Sequence, residues 1–329
     1  MIKYICMKLI DLYKNSQIHK IINQDIKSGM LNHCYMISGA DAYLLDKYTF
    51  FLVKEIMCMG DNKPCLECLN CQKIEHGNMV DLCIYPRENK TLMVADINEI
   101  VSDCYITPIE SKYKIYILKN FDECTIQAQN KILKTLEEPP QNVIFILTSN
   151  NENMVLPTIL SRSKKLNLNL ISSEDCKSVL EDLNVKNGDI LASMCGGNLS
   201  IALDFSSSGD PMGIVKLIFE MLENLKNSGD VIKFSSRIIA LKKDINIFLD
   251  TLTIIFRDIS VVDNESLVNF KSYINKLKEL SKIYTKQAIC QIASKVTEVY
   301  NKLAFNCNIN GVVDKLLLDI LEVKFLCQK

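Results

Sequence analysis

The 329-residue sequence has little of what keeps a chain from compacting. Only 11 glycines and 7 prolines occur, which excludes a collagen-like or broadly disordered polypeptide. It lacks any uninterrupted apolar stretch of the roughly 20 residues needed to cross a bilayer. Neither sign of charge is in excess. The 38 Lys+Arg against 39 Asp+Glu leave a net charge of −1, so the whole molecule has no strong field to draw in nucleic acid, and any DNA contact needs a local patch. The apolar N-terminal stretch MIKYICMKLI holds Lys3 and Lys8 and meets Asp11 without a small-residue cleavage site. That argues against a signal peptide and for a cytoplasmic protein with no membrane partner. Tryptophan is absent, and nothing follows from that.

What is present suits a soluble protein with a large core: 48% hydrophobic and 23% charged residues, in a length that favours about two domains, or three. In the first half, Cys34–Ser38, Leu82–Tyr85, Ile115–Leu118 and Val143–Thr148 are continuous apolar runs of strand length. Such runs suit parallel strands covered on both faces. Between them lie expected helices: Ser16–Met30 with Gly29 as its stop, Ala95–Cys104, and Thr125–Glu138, capped by Thr125 and ended by Pro139-Pro140. Alternating strands and helices predict an α/β domain over 1–170. After Leu170 the pattern turns helical. Ser172–Leu183 and Asn187–Phe205 read as short helices, the second broken by Gly196-Gly197-Asn198. Ser206–Pro211 reads as a linker. Amphipathic helix is expected throughout Gly213–Lys329; in Val312–Leu326, for example, Val312, Leu316, Ile320, Val323 and Phe325 alternate with charge.

Cys65, Cys68 and Cys71 form a C-x-x-C-x-x-C run, and Cys58 precedes it, all in one short insertion between a helix and a strand. Two residues between thiolates allow a tight turn to aim both sulfurs at one ion, and four sulfurs complete a tetrahedral zinc site. A redox pair and an iron–sulfur cluster are alternatives. A closed set of four leaves no thiol free to react, and nothing else in the sequence suggests electron transfer, so structural zinc is preferred. The other ten of the 14 cysteines are scattered and read as small buried hydrophobes.

After the first strand comes Ser38-Gly39-Ala40-Asp41-Ala42-Tyr43-Leu44-Leu45-Asp46-Lys47. A working phosphate loop is G-x-x-x-x-G-K-[ST]. Here the second glycine is Leu44, the lysine position is Leu45, the hydroxyl position is Asp46, and Lys47 falls two places late. The expectation is no ATP hydrolysis in the isolated chain and no bound nucleotide. Asp122-Glu123 stands too far beyond its strand to hold magnesium and reads as acids near a helix start. Glu137 and Glu138 at a helix C-terminus oppose its dipole, and local rule-breaking of that kind marks a candidate functional surface.

Asn130–Pro140 (NKILKTLEEPP) resembles the N-x-L-L-K-x-L-E-E-P-P signature of the bacterial clamp-loader subunits, an AAA+ family. Ser161-Arg162-Ser163 after Leu156–Leu160 resembles their L-x-x-T-I-x-S-R-C segment. Asn32-His33-Cys34-Tyr35 resembles the H-A-Y-L that opens their first strand. The cysteine insertion falls in the family's place, and Gly196-Gly197-Asn198 with Ala202-Leu203 resembles a lid motif, so the likeness covers about Ser16 to Leu203. It implies an α/β AAA+ (P-loop-like) parallel-sheet domain with an inserted zinc module at about 58–71. A helical lid domain (171–208) and an all-α C-terminal oligomerisation collar (209–329) would follow. It also implies a place in a hetero-pentamer with ATPase subunits (gamma/tau) and a delta subunit. Through that complex it implies partnership with the sliding clamp and primer-template DNA. The lost phosphate loop points to a non-ATPase member, and the alternative is a divergent ATP-binding ATPase subunit. By resemblance Arg162, flanked by Ser161 and Ser163, is a trans-acting arginine finger for a neighbour's ATP. Met79-Val80 replace the family's His-Pro, Ser163 replaces Cys, and Ser200 stands where ATP-binding relatives often carry Arg. A zinc-dependent DNA-binding protein outside the family is disfavoured, because Lys63 and Lys73 are the only cations close to the cysteines. Lys276, Lys278, Lys282 and Lys286 read as a solvated helix face.

Overall fold

A computed structural model describes residues 7–87, 91–305 and 307–326; Lys3, Cys6 and Cys327 lie outside them. The chain divides into two compact units, Met1–Leu170 and Ile171–Lys329. No helix among the described residues is long and apolar enough to cross a membrane.

The four apolar runs of the first unit become strands β1 (Cys34–Ser38), β2 (Leu82–Tyr85), β3 (Lys114–Leu118) and β4 (Val143–Ser149). A fifth strand, β5 (Lys164–Asn167), adds an edge beside β1. Every pairing is parallel, in the order β2-β3-β4-β1-β5. The helices are α1 (Met7–Asn15), α2 (Gln17–Ser28), α3 (Ala42–Met57), α4 (Leu69–Glu75), α5 (Val94–Asp103), α6 (Ile126–Glu137) and α7 (Pro157–Leu160). Alternate strand residues (Cys34, Met36, Tyr116, Leu118, Phe145, Leu147) pack with Ile97 and Ile100 of α5, Ile132 and Leu136 of α6, and Ile159 of α7. The intervening residues Tyr35, Ile37, Ile115, Ile117, Ile144 and Ile146 are equally buried, so both faces are covered and the strands read as unbroken apolar runs. This is a parallel α/β sheet covered on both faces, as the resemblance implied.

Local chemistry sets the ends of these elements. Ser16 caps α2 through a bond from the His19 N–H, and Gly29 closes it at φ +71°, where a side chain would be strained. Thr125 caps α6 as expected. Asp81, in the Met79-Val80-Asp81 segment before β2, is buried and accepts the backbone N–H groups of Ile109, Glu110 and Ser111 at 2.7–2.8 Å, fixing the turn that leads into β3. Asp122 and Glu123 lie in a one-turn 3₁₀ segment ahead of the Thr125 cap. Glu55 of α3 is buried and takes bonds from the Tyr13 hydroxyl (2.6 Å) and the His19 ring (3.0 Å), pinning α1 and α2 to α3.

The second unit is helical: α8 (Ser173–Asp182), α9 (Gly188–Met194), α10 (Leu199–Ser208), α11 (Pro211–Asn224), α12 (Ser228–Ile239), α13 (Ile245–Val261), α14 (Ile274–Ser281), α15 (Lys286–Ala304) and α16 (Ile309–Leu326). Gly196-Gly197-Asn198 breaks α9 from α10. Gly197 sits at φ +87°, and a Cβ there would meet the Ile171 carbonyl at 1.9 Å. Three expectations are corrected. The linker shrinks to Gly209-Asp210, because the serines continue α10 and Asp210 caps α11. Helix is not continuous after Gly213, since only isolated turns link Val262 to Tyr273. On α16 Phe325 is exposed, and its neighbour Lys324 is buried instead, donating to the Leu225 carbonyl at 2.9 Å and so satisfying the end of α11.

Burial alone would raise the Asp81 pKa, but its three backbone N–H donors hold it below the ordinary aspartate value. A depressed folded-state pKa contributes stability above the unfolded value and loses it as pH falls through the folded one. Asp81→Ala is therefore expected to cost about 2 kcal/mol in urea denaturation at pH 7. The difference from wild type should shrink on acidification below about pH 4.

Candidate functional site

Three groups of residues carry chemistry. The first is the cysteine module. Cys58 ends α3, Cys68 sits at the N-cap of α4, and Cys71 lies in its first turn. The Sγ atoms of Cys58, Cys65, Cys68 and Cys71 all lie within 4.8 Å of one another. A tetrahedron of sulfurs at about 2.3 Å from a central ion has edges of about 3.8 Å, so the donor set fits one metal ion with little adjustment. The Cys58 sulfur accepts the N–H groups of Gly60 (3.3 Å) and Cys65 (3.4 Å), and the Cys65 sulfur accepts that of Cys68 (3.3 Å). Such bonds favour thiolates. Burial works against ionisation and pushes the Cys58 and Cys71 thiols up, whereas at Cys68 backbone N–H groups and neighbouring thiols outweigh it and bring the thiol down to about 6. Among the scattered cysteines the reading as buried hydrophobes holds for Cys34, Cys104, Cys124, Cys176 and Cys195. It fails for Cys290 and Cys307, which are exposed, while Cys83 is half-buried.

The second group lies where the parallel strands end. Gly39 follows β1 directly, its N–H donating to the Ser149 carbonyl, and a Cβ there would meet the Leu168 carbonyl at 2.8 Å. Helix α3 begins at Ala42, so only Gly39, Ala40 and Asp41 separate strand from helix. The buried Asp41 caps α3 by accepting the Leu44 N–H at 3.0 Å, which places a carboxylate of the chain itself at the helix N-terminus. Leu44 and Leu45 face the core. Asp46 pairs with Lys119, and Lys47 lies over the Tyr43 ring. The Thr148 hydroxyl accepts the Asn120 N–H.

The third group lies at the opposite end, where the strands begin. Three segments far apart in sequence converge there. The His33 ring bonds the Leu136 carbonyl near the end of α6, and burial lowers its pKa despite that bond. The Cys34 Sγ lies 3.2 Å from the Ser163 Oγ, and burial pushes its thiol up to about 12. Arg162 Nη2 donates to Glu137 Oε1 at 2.7 Å, while Nη1 donates to the Thr158 carbonyl at 2.8 Å and meets Ser161 Oγ at 3.4 Å. The Arg162 side chain as a whole stays 34% exposed. Close by, Asp25 of α2 accepts the Tyr35 hydroxyl and the Lys164 ammonium, anchoring the start of β5. In the second unit Lys276 pairs with Glu223 and Lys278 with Glu265, in keeping with a solvated face.

The model of the family described as DNA polymerase III, delta subunit, matches residues 14–172. The chain is 25% identical over 317 residues to the DNA polymerase III subunit delta' of Bacillus subtilis, covering 93% of this chain and 96% of that one. It is 32% identical over 174 residues to the DNA polymerase III subunit gamma of Buchnera aphidicola subsp. Schizaphis graminum, where it spans about half of that relative (48%) and 52% of itself is matched. Among solved structures, a gamma subunit-related protein from Thermotoga maritima aligns with a TM-score of 0.44 at 18% identity, over 94% of this chain and all of the other.

The four thiols predict one tightly held divalent metal ion per chain after exhaustive dialysis, measured by elemental analysis. Cys58→Ser with Cys71→Ser should abolish that stoichiometry while leaving most far-ultraviolet helical signal intact. A metal-free wild type would contradict the assignment.

Proposed function

We propose that this chain, a relative of the clamp-loader subunits of bacterial DNA polymerase III over nearly its whole length, is a non-catalytic delta-prime-type subunit of such a loader. It helps close a hetero-pentameric ring with gamma/tau ATPase subunits and a delta subunit. That ring places the sliding clamp on primer-template DNA in the cytoplasm. Residues 171–208 serve as the lid and 209–329 as the helical collar.

The observation that carries this reading is the polarity of the sheet. In an open parallel sheet, ligands bind beyond the carboxyl ends of the strands. At that end Asp41 occupies the α3 N-terminus, Leu44 and Leu45 turn inward, and Asp46 is neutralised by Lys119. A phosphate would meet carboxylates and too short a loop. Arg162 lies at the other end, half-exposed. In a head-to-tail ring, each subunit turns one surface to the neighbour before it and a different one to the neighbour after it. Arg162 would thus reach a triphosphate held by the adjoining subunit. Its planar cation spreads charge over the γ-phosphoryl group as it leaves, which a lysine could not match in geometry.

The resident metal in this reading is structural zinc, held by Cys58, Cys65, Cys68 and Cys71. Thiolate donors and tetrahedral spacing suit zinc. Binding energy on the order of 10–16 kcal/mol is enough to hold an insertion with no core of its own.

Two measurements test the reading. Reconstituted with gamma/tau and delta subunits, Arg162→Ala should assemble normally and lose about a thousandfold of hydrolysis at the site it serves. The loss would appear as the disappearance of that site's share of the DNA-stimulated rate, and Arg162→Lys should not rescue it. Normal assembly with an unchanged rate would overturn the trans-acting role. Equilibrium binding of a labelled ATP analogue to the isolated chain should detect no micromolar affinity. Micromolar binding that depends on Lys47 would instead indicate a divergent ATPase subunit.

A further inference from the structure

Arg162 is held by acceptors of two kinds. The Thr158 carbonyl and the Ser161 hydroxyl belong to α7 and its C-terminal end, so they travel with the arginine. Glu137 belongs to α6, 25 residues away, and is the acceptor among these that ties the guanidinium to a different element. The backbone around Arg162 is already fixed: Ser163 Oγ donates to the Ile159 carbonyl at 2.8 Å and lies against Cys34. Thr158 fixes one edge of the guanidinium from α7, and Glu137 fixes the other from α6.

Glu137 also stands where a carboxylate is unfavourable for the helix itself. It is the last residue of α6, where the helix dipole disfavours negative charge. Its side chain is half-exposed, so it fills no core position. What it does is place one oxygen 2.7 Å from Nη2 on one edge of the guanidinium, while Thr158 occupies Nη1. With each terminal nitrogen committed to a fixed acceptor, the plane of the fork is set and its remaining N–H groups are left for an outside anion.

We propose that Glu137 is a positioning residue for Arg162: it orients the guanidinium toward the triphosphate of the neighbouring subunit and acts through the arginine alone. This rests on the trans-acting role argued above. An exposed, well-aligned ion pair of this kind corresponds to about a two- to fivefold effect.

The test uses the reconstituted loader and four versions of this chain: wild type, Glu137→Ala, Arg162→Ala and the double variant. Glu137→Ala should lower kcat for DNA-stimulated hydrolysis about two- to fivefold while KM for ATP and the assembled mass stay unchanged. Glu137→Gln keeps an amide oxygen for Nη2 and should restore most of the rate. In the Arg162→Ala background, Glu137→Ala should have no further effect, which a merely structural role would not produce. The inference is overturned if Arg162→Ala slows hydrolysis and Glu137→Ala does not. It is equally overturned if Glu137→Ala raises the rate, or lowers it to the same extent without Arg162. If Arg162→Ala is itself silent, the trans-acting role falls and this inference with it.

Discussion

All five strands of the first unit run in one direction, and that shared direction keeps its two ends chemically distinct. Strand β1 shows it most clearly. Buried between β4 and β5, it opens at Cys34 beside Ser163 and closes at Ser38 beside Gly39. Its five residues rise roughly 13 Å from first to last. The exposed guanidinium therefore belongs to one rim of the sheet and the region after Gly39 to the other. No rearrangement of a single side chain can bring them together. In the proposed reading, a chain built this way serves two different surfaces at once, as a ring of like-folded subunits requires.

The rim beyond Ser38 is a tight strand-to-helix turn closed by the chain's own side chains. Helix α3 starts at Ala42, with three residues between it and the end of β1, and Asp41 satisfies from within the chain a helix N-terminus that could otherwise face an anion. Leucines at 44 and 45 then gain burial in the core. The strand, the turn and the helix remain, so the sheet is unaffected. In the proposed reading, the chain keeps the architecture for its contacts and the opposite rim for its chemistry.

Much of this was legible in the sequence, for local reasons. Strands covered on both faces read as apolar runs, and β1 and β2 coincide with the expected spans, while β3 and β4 each extend one residue further. The gathering of the four cysteines was legible because they lie within 14 consecutive residues, where spacing alone constrains geometry. Strand β5 was missed because Lys164-Lys165-Leu166-Asn167 buries only Leu166; an edge strand beside β1 needs no apolar run. The serine-rich stretch looked like a linker because composition is blind to the Asp210 cap that sets where α11 begins. Lys324 was invisible because its burial depends on carbonyls about a hundred residues away. The same holds at the arginine rim. The Glu137 dipole anomaly and the Ser-Arg-Ser segment were each noticeable, but only the fold brings them to 2.7 Å. The triad of Tyr13, His19 and Glu55 left no periodic trace at all.

The most direct measurement is a structure of the assembled loader with nucleotide and a fluoride mimic of the transferring phosphoryl group. The Arg162 guanidinium should lie within hydrogen-bonding reach of the mimic on the adjoining subunit, with no nucleotide beside Gly39. A nucleotide bound beside Gly39, or Arg162 turned away from every phosphate in the ring, would contradict it.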